Sequence, residues 1–176
     1  MIQYRKLNPD EIVLDLFCSF KRRQVVTDCW RKENGRWVIK SDPFIDDWGK
    51  DEYEMLVRCL KHTARTGGLV YGAFLDNRLK GFVSVEGDLT GSCSQYMDLS
   101  SIHVSQDMRG QGIGRELFLA AKQFAKGQNA KKLYISAHSA VETQAFYRSM
   151  GCREAEEYDP VHVEKEPYDC QLECVL

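Results

Sequence analysis

Three glycines in five positions, Gly110, Gly112 and Gly114, interrupt the chain in "VSQDMRGQGIGRELF", residues 104–118. An apolar, strand-like run ends just before them and an apolar, helix-like run begins just after. Glycine lets consecutive backbone N–H groups converge without interference from a Cβ. When a helix starts there, those groups and its positive end favour an anion such as a pyrophosphate. Arg109 and Arg115 add positive charge. Two nucleotide motifs are excluded by spacing. The NTPase phosphate loop requires G-x-x-x-x-G-K-S/T, but Gly114 is followed by Arg115 and Glu116. A dinucleotide fingerprint requires G-x-G-x-x-G after the first strand of a parallel unit, whereas "GQGIGR" follows several strands of antiparallel character.

The elements around this junction set the fold class. "IQYRKL" (2–7) reads as a strand, and Asn8 with Pro9 reads as the cap and first turn of a helix. Asn34-Gly35 predicts a type I′ hairpin inside an exposed excursion at 27–42, and Gly67-Gly68 stops an amphipathic helix over 51–68. Two apolar strands follow, joined at Asp76-Asn77, and "YMDLSSIHV" (96–104) is a third. Strict alternation puts Asp98, Ser100, Ile102 and Val104 on one face of that strand and Met97, Leu99, Ser101 and His103 on the other. Ile113, Leu117, Ala120, Ala121 and Phe124 recur at helical spacing, which predicts a helix over 113–127. "KKLYISAHS" is a strand, "VETQAFYRSMG" (141–151) a helix, and "CREAEEYD" with "YDCQLECVL" a closing pair of strands. The pattern is a mixed α+β fold: a largely antiparallel central sheet, a β-α-β-α-β carboxy-terminal half, and flanking helices.

Composition narrows the function. The chain has 176 residues, 43% of them hydrophobic, enough for one domain with a sizeable core. A net charge of −2 supplies no global basic field for nucleic acid. The amino terminus has no secretory pattern and no stretch suits a membrane span, so a cytoplasmic protein is expected. Seven cysteines without a C-x-x-C pair argue against a disulfide framework and a closed zinc site, and no metal is expected.

The run Arg109-Gly110-Gln111-Gly112-Ile113-Gly114 matches Q/R-x-x-G-x-G/A, and "QAFYRSMGC" resembles an A-x-x-F-Y-x-x-x-G-F segment with Cys152 in the last place. On these motifs, about thirty residues apart, the chain resembles the GNAT superfamily of acyl-CoA-dependent N-acyltransferases over most of its length. The resemblance implies one N-acetyltransferase domain over 1–176, with 1–66 a variable substrate side and 67–176 the acetyl-CoA-binding core. It implies that the loop from Arg109 through Arg115 holds the CoA pyrophosphate. It also implies that the strand edge at Ile102, His103 and Val104 pairs with the pantetheine arm as an added strand would. Where many members carry a cofactor-contacting asparagine this chain has Ala140, with His138 and Ser139 beside it as substitutes.

The implied reaction is acetyl transfer from acetyl-CoA, as cosubstrate, to an amine. It needs an acid for the leaving thiolate and a base for the attacking amine. Tyr147 stands where the family places the acid, although a core aromatic is its bland reading. Asp98 and Glu86 are the candidate bases; His103 has a suitable pKa but alternates to the face opposite Asp98. Direct attack is expected, since no cysteine falls at the motif. The acceptor is a small-molecule or peptide amine. "DPFIDDWGKDEYE" (42–54) mixes carboxylates with aromatics, which suits a cation, but a solvated acidic loop is the favoured account of it. The closing strands offer an edge able to pair across a homodimer. A GNAT-fold sensor that binds acyl-CoA without turnover is the rival reading.

Overall fold

A computed structural model describes residues 1–176. In chain order its elements are β1 (Gln3–Lys6), β2 (Arg23–Glu33), β3 (Arg36–Asp47), α1 (Lys50–Arg65), β4 (Leu69–Leu75), β5 (Arg78–Thr90) and β6 (Tyr96–Val104). Then come α2 (Ile113–Gly127), β7 (Lys132–Ala137), α3 (Val141–Ser149), β8 (Arg153–Glu154), α4 (Pro160–Lys165) and β9 (Cys170–Val175). Seven strands form one sheet in the order β1-β4-β5-β6-β7-β9-β8, while β2 and β3 form a separate two-stranded sheet. Every pairing is antiparallel except β6 with β7, so the expected mixed, largely antiparallel architecture is the one observed. No helix is long and apolar enough to cross a membrane.

Local chemistry explains the turns. Asn34 and Gly35 lie at φ 50° and 77°, and Asp76 and Asn77 at 49° and 59°, the left-handed pairs that a type I′ hairpin requires. Pro43 sits in β3 without breaking it because the register slips there: Val26 pairs with Phe44 and Asp28 with Ser41, which leaves Thr27 opposite a bulge. The excursion at 27–42 is the expected hairpin, but it is longer and not wholly exposed. Val26 and Cys29 are buried against Ala140, and Cys29 forms an isolated bridge with Ala140.

Two apolar clusters cover the two faces of the main sheet. On one face, Ile113, Leu117, Phe118 and Ala121 of α2 are wholly or almost wholly buried against Val83, Val85, Met97 and Leu99. Burial of this kind contributes about 1.5–3 kcal/mol for each large aliphatic side chain. On the other face, Leu56 and Leu60 of α1 join Leu7, Ile12, Phe17, Phe20 and Phe82. The helix expected after Asn8 is instead two single 3-10 turns, Pro9–Glu11 and Leu14–Phe17. Leu7, Ile12, Phe17 and Phe20 all have to point inward, and their uneven intervals cannot share one α-helical stripe. The helix α4 is not among the expected elements; Asp159 caps it by accepting from the Val161 amide at 2.8 Å and Pro160 occupies its first turn.

A buried carboxylate ties four strands together. Glu173 of β9 is fully enclosed and accepts hydrogen bonds from Tyr96 Oη at 2.6 Å, Lys132 Nζ at 3.0 Å and Arg153 Nε at 2.9 Å. Burial alone would raise its pKa, but these donors bring it down to about 2. Removing one member of such a buried set leaves the others uncompensated. Glu173→Ala is therefore expected to lower the unfolding free energy by about 3–5 kcal/mol in urea titrations at neutral pH. The sign follows from the lowered pKa. The contribution of Glu173 is complete above its ordinary value of 4.5 and is lost as pH falls toward about 2, a loss that denaturation curves of the variant should lack.

Candidate functional site

The sheet parts between its two parallel strands. Tyr96, Met97 and Asp98 of β6 pair with Lys132, Leu133 and Tyr134 of β7, and no ladder joins the strands beyond them. A cleft of about 1020 Å³ occupies the wedge. Residues 99–104 form one wall and Ser136, Ala137 and His138 the other, with the glycine loop at one end. From Ile102 to Val104 the β6 edge that faces away from β5 has no strand partner, so its backbone groups are available to an extended ligand.

A β-bulge at Ser100 helps turn β6 out of the sheet. Ser101 pairs with Ser84 and Leu99 with Val85, which leaves Ser100 as an extra residue. The bulge corrects the expected alternation. Met97 and Leu99 share the α2 face with Ile102 and Val104, while Asp98 falls on the opposite face, the one that His103 occupies against Phe82.

The glycine loop has the form of an anion cradle. Gly110 and Gly112 lie at φ 76° and 80°, in the left-handed region where a side chain is strained. Consecutive amides from Arg109 to Arg115 donate to no acceptor within the chain, an unusual run of open donors at a helix start. Lys80 holds the approach to the loop through Asp107 at 2.7 Å, and Ser105 Oγ accepts from the Lys21 amide at 2.9 Å. Arg109, Gly110, Gly112, Ile113, Gly114 and Arg115 all line the cleft. Gln111 does not; its amide turns back to Met108 Sδ at 3.8 Å.

Tyr147 of α3 also lines the cleft. Its ring is buried, edge-on to Phe118 and Phe146, and its hydroxyl makes no hydrogen bond within the chain. Burial pushes the phenol well above its ordinary value, so it carries its proton throughout the physiological range. The core-aromatic and cleft-lining readings of this residue thus hold together.

The two candidate bases lie outside the cleft lining. Glu86 accepts from Thr63 Oγ1 at 2.8 Å, because β5 bows outward between the pairs Val85–Leu99 and Leu89–Met97 to meet the end of α1. The contact is so close that a Cβ on Gly87 would lie 2.5 Å from the Thr66 carbonyl. Asp98 Oδ2 lies 2.8 Å from His162 Nε2, and its Oδ1 is sealed without a partner. The bond to Asp98 raises the His162 imidazole, against the effect of burial. His103 accepts from Arg22 Nε at 3.1 Å. Burial, with the charges of Arg22 and Arg109, lowers its pKa to about 3.

Beside Ala140, Ser139 is committed to Arg31, whose Nη1 lies 2.6 Å from its Oγ. His138 lines the cleft and accepts from the Ala140 amide at 3.0 Å. The acidic run at 42–54 is largely neutralised at home: Arg31 pairs with Asp42, Arg22 with Asp46, Arg23 with Asp47 and Lys50 with Glu54. Carboxylates that sequence reasoning missed, Glu166 and Asp169, do line the cleft. Both follow α4, in a segment whose only sequence signal was the Asp159-Pro160 helix start.

Known proteins share this fold. The model of the acetyltransferase (GNAT) family matches residues 24–152. A nourseothricin acetyltransferase structure aligns with a TM-score of 0.65 and 18% identity, covering 98% of this chain and 95% of that one. A Bacillus anthracis str. Ames protein provisionally described as a streptothricin acetyltransferase, in complex with acetyl coenzyme A, aligns with a TM-score of 0.72 and 17% identity over 100% and 97%. The PaiA N-acetyltransferase from Thermoplasma acidophilum, in complex with coenzyme A, aligns at 0.62 and 17% over 100% and 99%. No curated protein matches the sequence.

The Arg22 contact yields a direct measurement. The His103 imidazole should gain no proton in an NMR titration until pH nears its value of about 3. Arg22→Met removes the neighbouring charge and should move that titration upward.

Proposed function

The chain belongs to the acetyltransferase (GNAT) family, and on that premise we propose that it transfers the acetyl group of acetyl-CoA to a primary amine of a small molecule by direct attack. The run of open amides from Arg109 to Arg115 carries this reading. Converging N–H groups at a helix start, between two arginines, suit a pyrophosphate in charge and in geometry. The unpaired edge at Ile102, His103 and Val104 suits the amide groups of a pantetheine arm, and a β6 amide is the donor toward a thioester oxygen.

Tyr147 is the acid in this proposal. Its protonated phenol opens into the cleft and is suited to protonate a departing thiolate. No cysteine lines the cleft, which supports direct attack over an acyl-enzyme. Asp98 acts by positioning His162, and Glu86 by fixing α1 to β5. A cationic acceptor is favoured by Glu142, Glu166 and Asp169 along the cleft. Residues 1–66 border the acceptor side and 67–176 hold the cosubstrate; the mixed cluster of Leu7, Phe17, Leu60 and Phe82 supports reading them as one domain.

Thiol release from acetyl-CoA over a panel of mono- and dibasic amines tests the proposal. Turnover with at least one cationic amine is expected. Tyr147→Phe should lower kcat by about 10²-fold without changing the affinity for CoA. Gly112→Val, which forces a side chain into a left-handed position, should weaken CoA binding by about tenfold. Tight CoA binding with no thiol release for any amine, and an inert Tyr147→Phe, would make the chain a binding module instead.

A further inference from the structure

We infer that Asp169, oriented by Ser136, is the group that accepts the proton of the attacking amine. The inference rests on the acetyl-transfer reading above. Four carboxylates line the cleft: Asp46, Glu142, Glu166 and Asp169. Asp46 is committed to Arg22 at 2.7 Å, while Glu142 and Glu166 are exposed and no hydrogen bond fixes either side chain. Asp169 alone is partly enclosed, held by a hydrogen bond and free of an ion pair.

Ser136 Oγ donates to Asp169 Oδ2 at 3.1 Å, and Gln171 Nε2 donates to Ser136 Oγ at 3.1 Å. Tyr134 donates to Gln171 Oε1 and itself accepts from the Asp159 amide at 2.9 Å. The chain runs from the wall of β7 through β9 to the start of α4, so the carboxylate is aimed by the sheet itself. Its second oxygen, Oδ1, accepts nothing within the chain. Ser136 and Asp169 share the cleft with Tyr147, which places an enclosed carboxylate and a phenol on the same space.

The charged and titratable groups facing Asp169 are Glu166 and His162 from the α4 segment, His138 from the end of β7, and Tyr147 from α3. Its neighbour Cys170 also feels Arg31 and Arg148. Burial raises the carboxyl above its ordinary value of 3.8, and the Ser136 bond opposes that rise. A carboxylate of raised pKa is a stronger base toward an ammonium-forming nitrogen.

The step balances. The amine nitrogen attacks the thioester carbonyl carbon, the C–N bond forms and the C–S bond breaks. One nitrogen proton passes to Asp169 Oδ1, and the thiolate takes a proton from Tyr147. Asp169 then releases its proton to solvent through the cleft, and the Tyr147 phenolate regains one from solvent.

The test is kcat/KM for the full chain against pH, read as thiol release with the best amine of the panel. The wild type should rise through an acid limb at a pKa above the ordinary carboxylate value. Asp169→Asn should lower kcat by about 10²-fold or more and abolish that limb, with CoA affinity and the circular dichroism melt unchanged. Asp169→Glu should restore part of the rate together with the limb. Ser136→Ala removes a donor that lowers the Asp169 pKa, so its limb should move to higher pH; this variant serves if Asp169→Asn fails to fold. An Asp169→Asn enzyme of near-normal kcat with its limb intact overturns the assignment, as does a limb that disappears in His162→Gln but not in Asp169→Asn. A wild type that binds CoA but turns over no amine fails earlier, at the transferase reading, and takes this assignment with it.

Discussion

The site depends on where the sheet is clamped shut. Tyr96 and Lys132 are the first residues paired between β6 and β7, and both donate to the enclosed carboxylate of Glu173 on β9. That charge-assisted set fixes the strands together at one end. Three residues further on nothing joins them, the bulge at Ser100 turns β6 aside, and the cleft opens. An open strand edge inside a sheet is costly unless something pairs with it. The clamp sets the point from which that edge begins, and the bulge sets its direction.

The two faces of β6 do different work because of the same bulge. Met97, Leu99, Ile102 and Val104 keep contact with the core under α2, which anchors the strand as it leaves β7. Asp98 and His103 turn to the other face, where one meets His162 and the other Arg22. A strand with unbroken alternation would have put Ile102 and Val104 on the face opposite Met97 and Leu99.

Much of the fold was legible in local patterns. The type I′ turns at Asn34-Gly35 and Asp76-Asn77, the helix over 113–127 and the glycine loop all depend on nearest neighbours, which a sequence displays directly. The two 3-10 turns after Asn8 were not legible, because tertiary burial of Ile12 and Phe17 overrode a good helix start. The placement of Asp98 was misread for a related reason. A bulge shifts alternation by one residue, and nothing in "YMDLSSIHV" marks Ser100 as the extra one. Asp169 lay beyond reach altogether, since its position depends on Ser136, Gln171 and Tyr134, up to 35 residues away.

The β2/β3 hairpin shares no ladder with the seven-stranded sheet; it docks through the bridge at Cys29 and Ala140 and through Phe44, whose ring lies tilted 5.4 Å from that of His138. Its register comes from its own turn. Residue pairs added or removed at the Asn34-Gly35 tip would therefore leave the register of every strand in the main sheet untouched. Evolution can thus reshape this hairpin as a separate module, while the glycine loop stays tied to the strand-to-helix junction between β6 and α2.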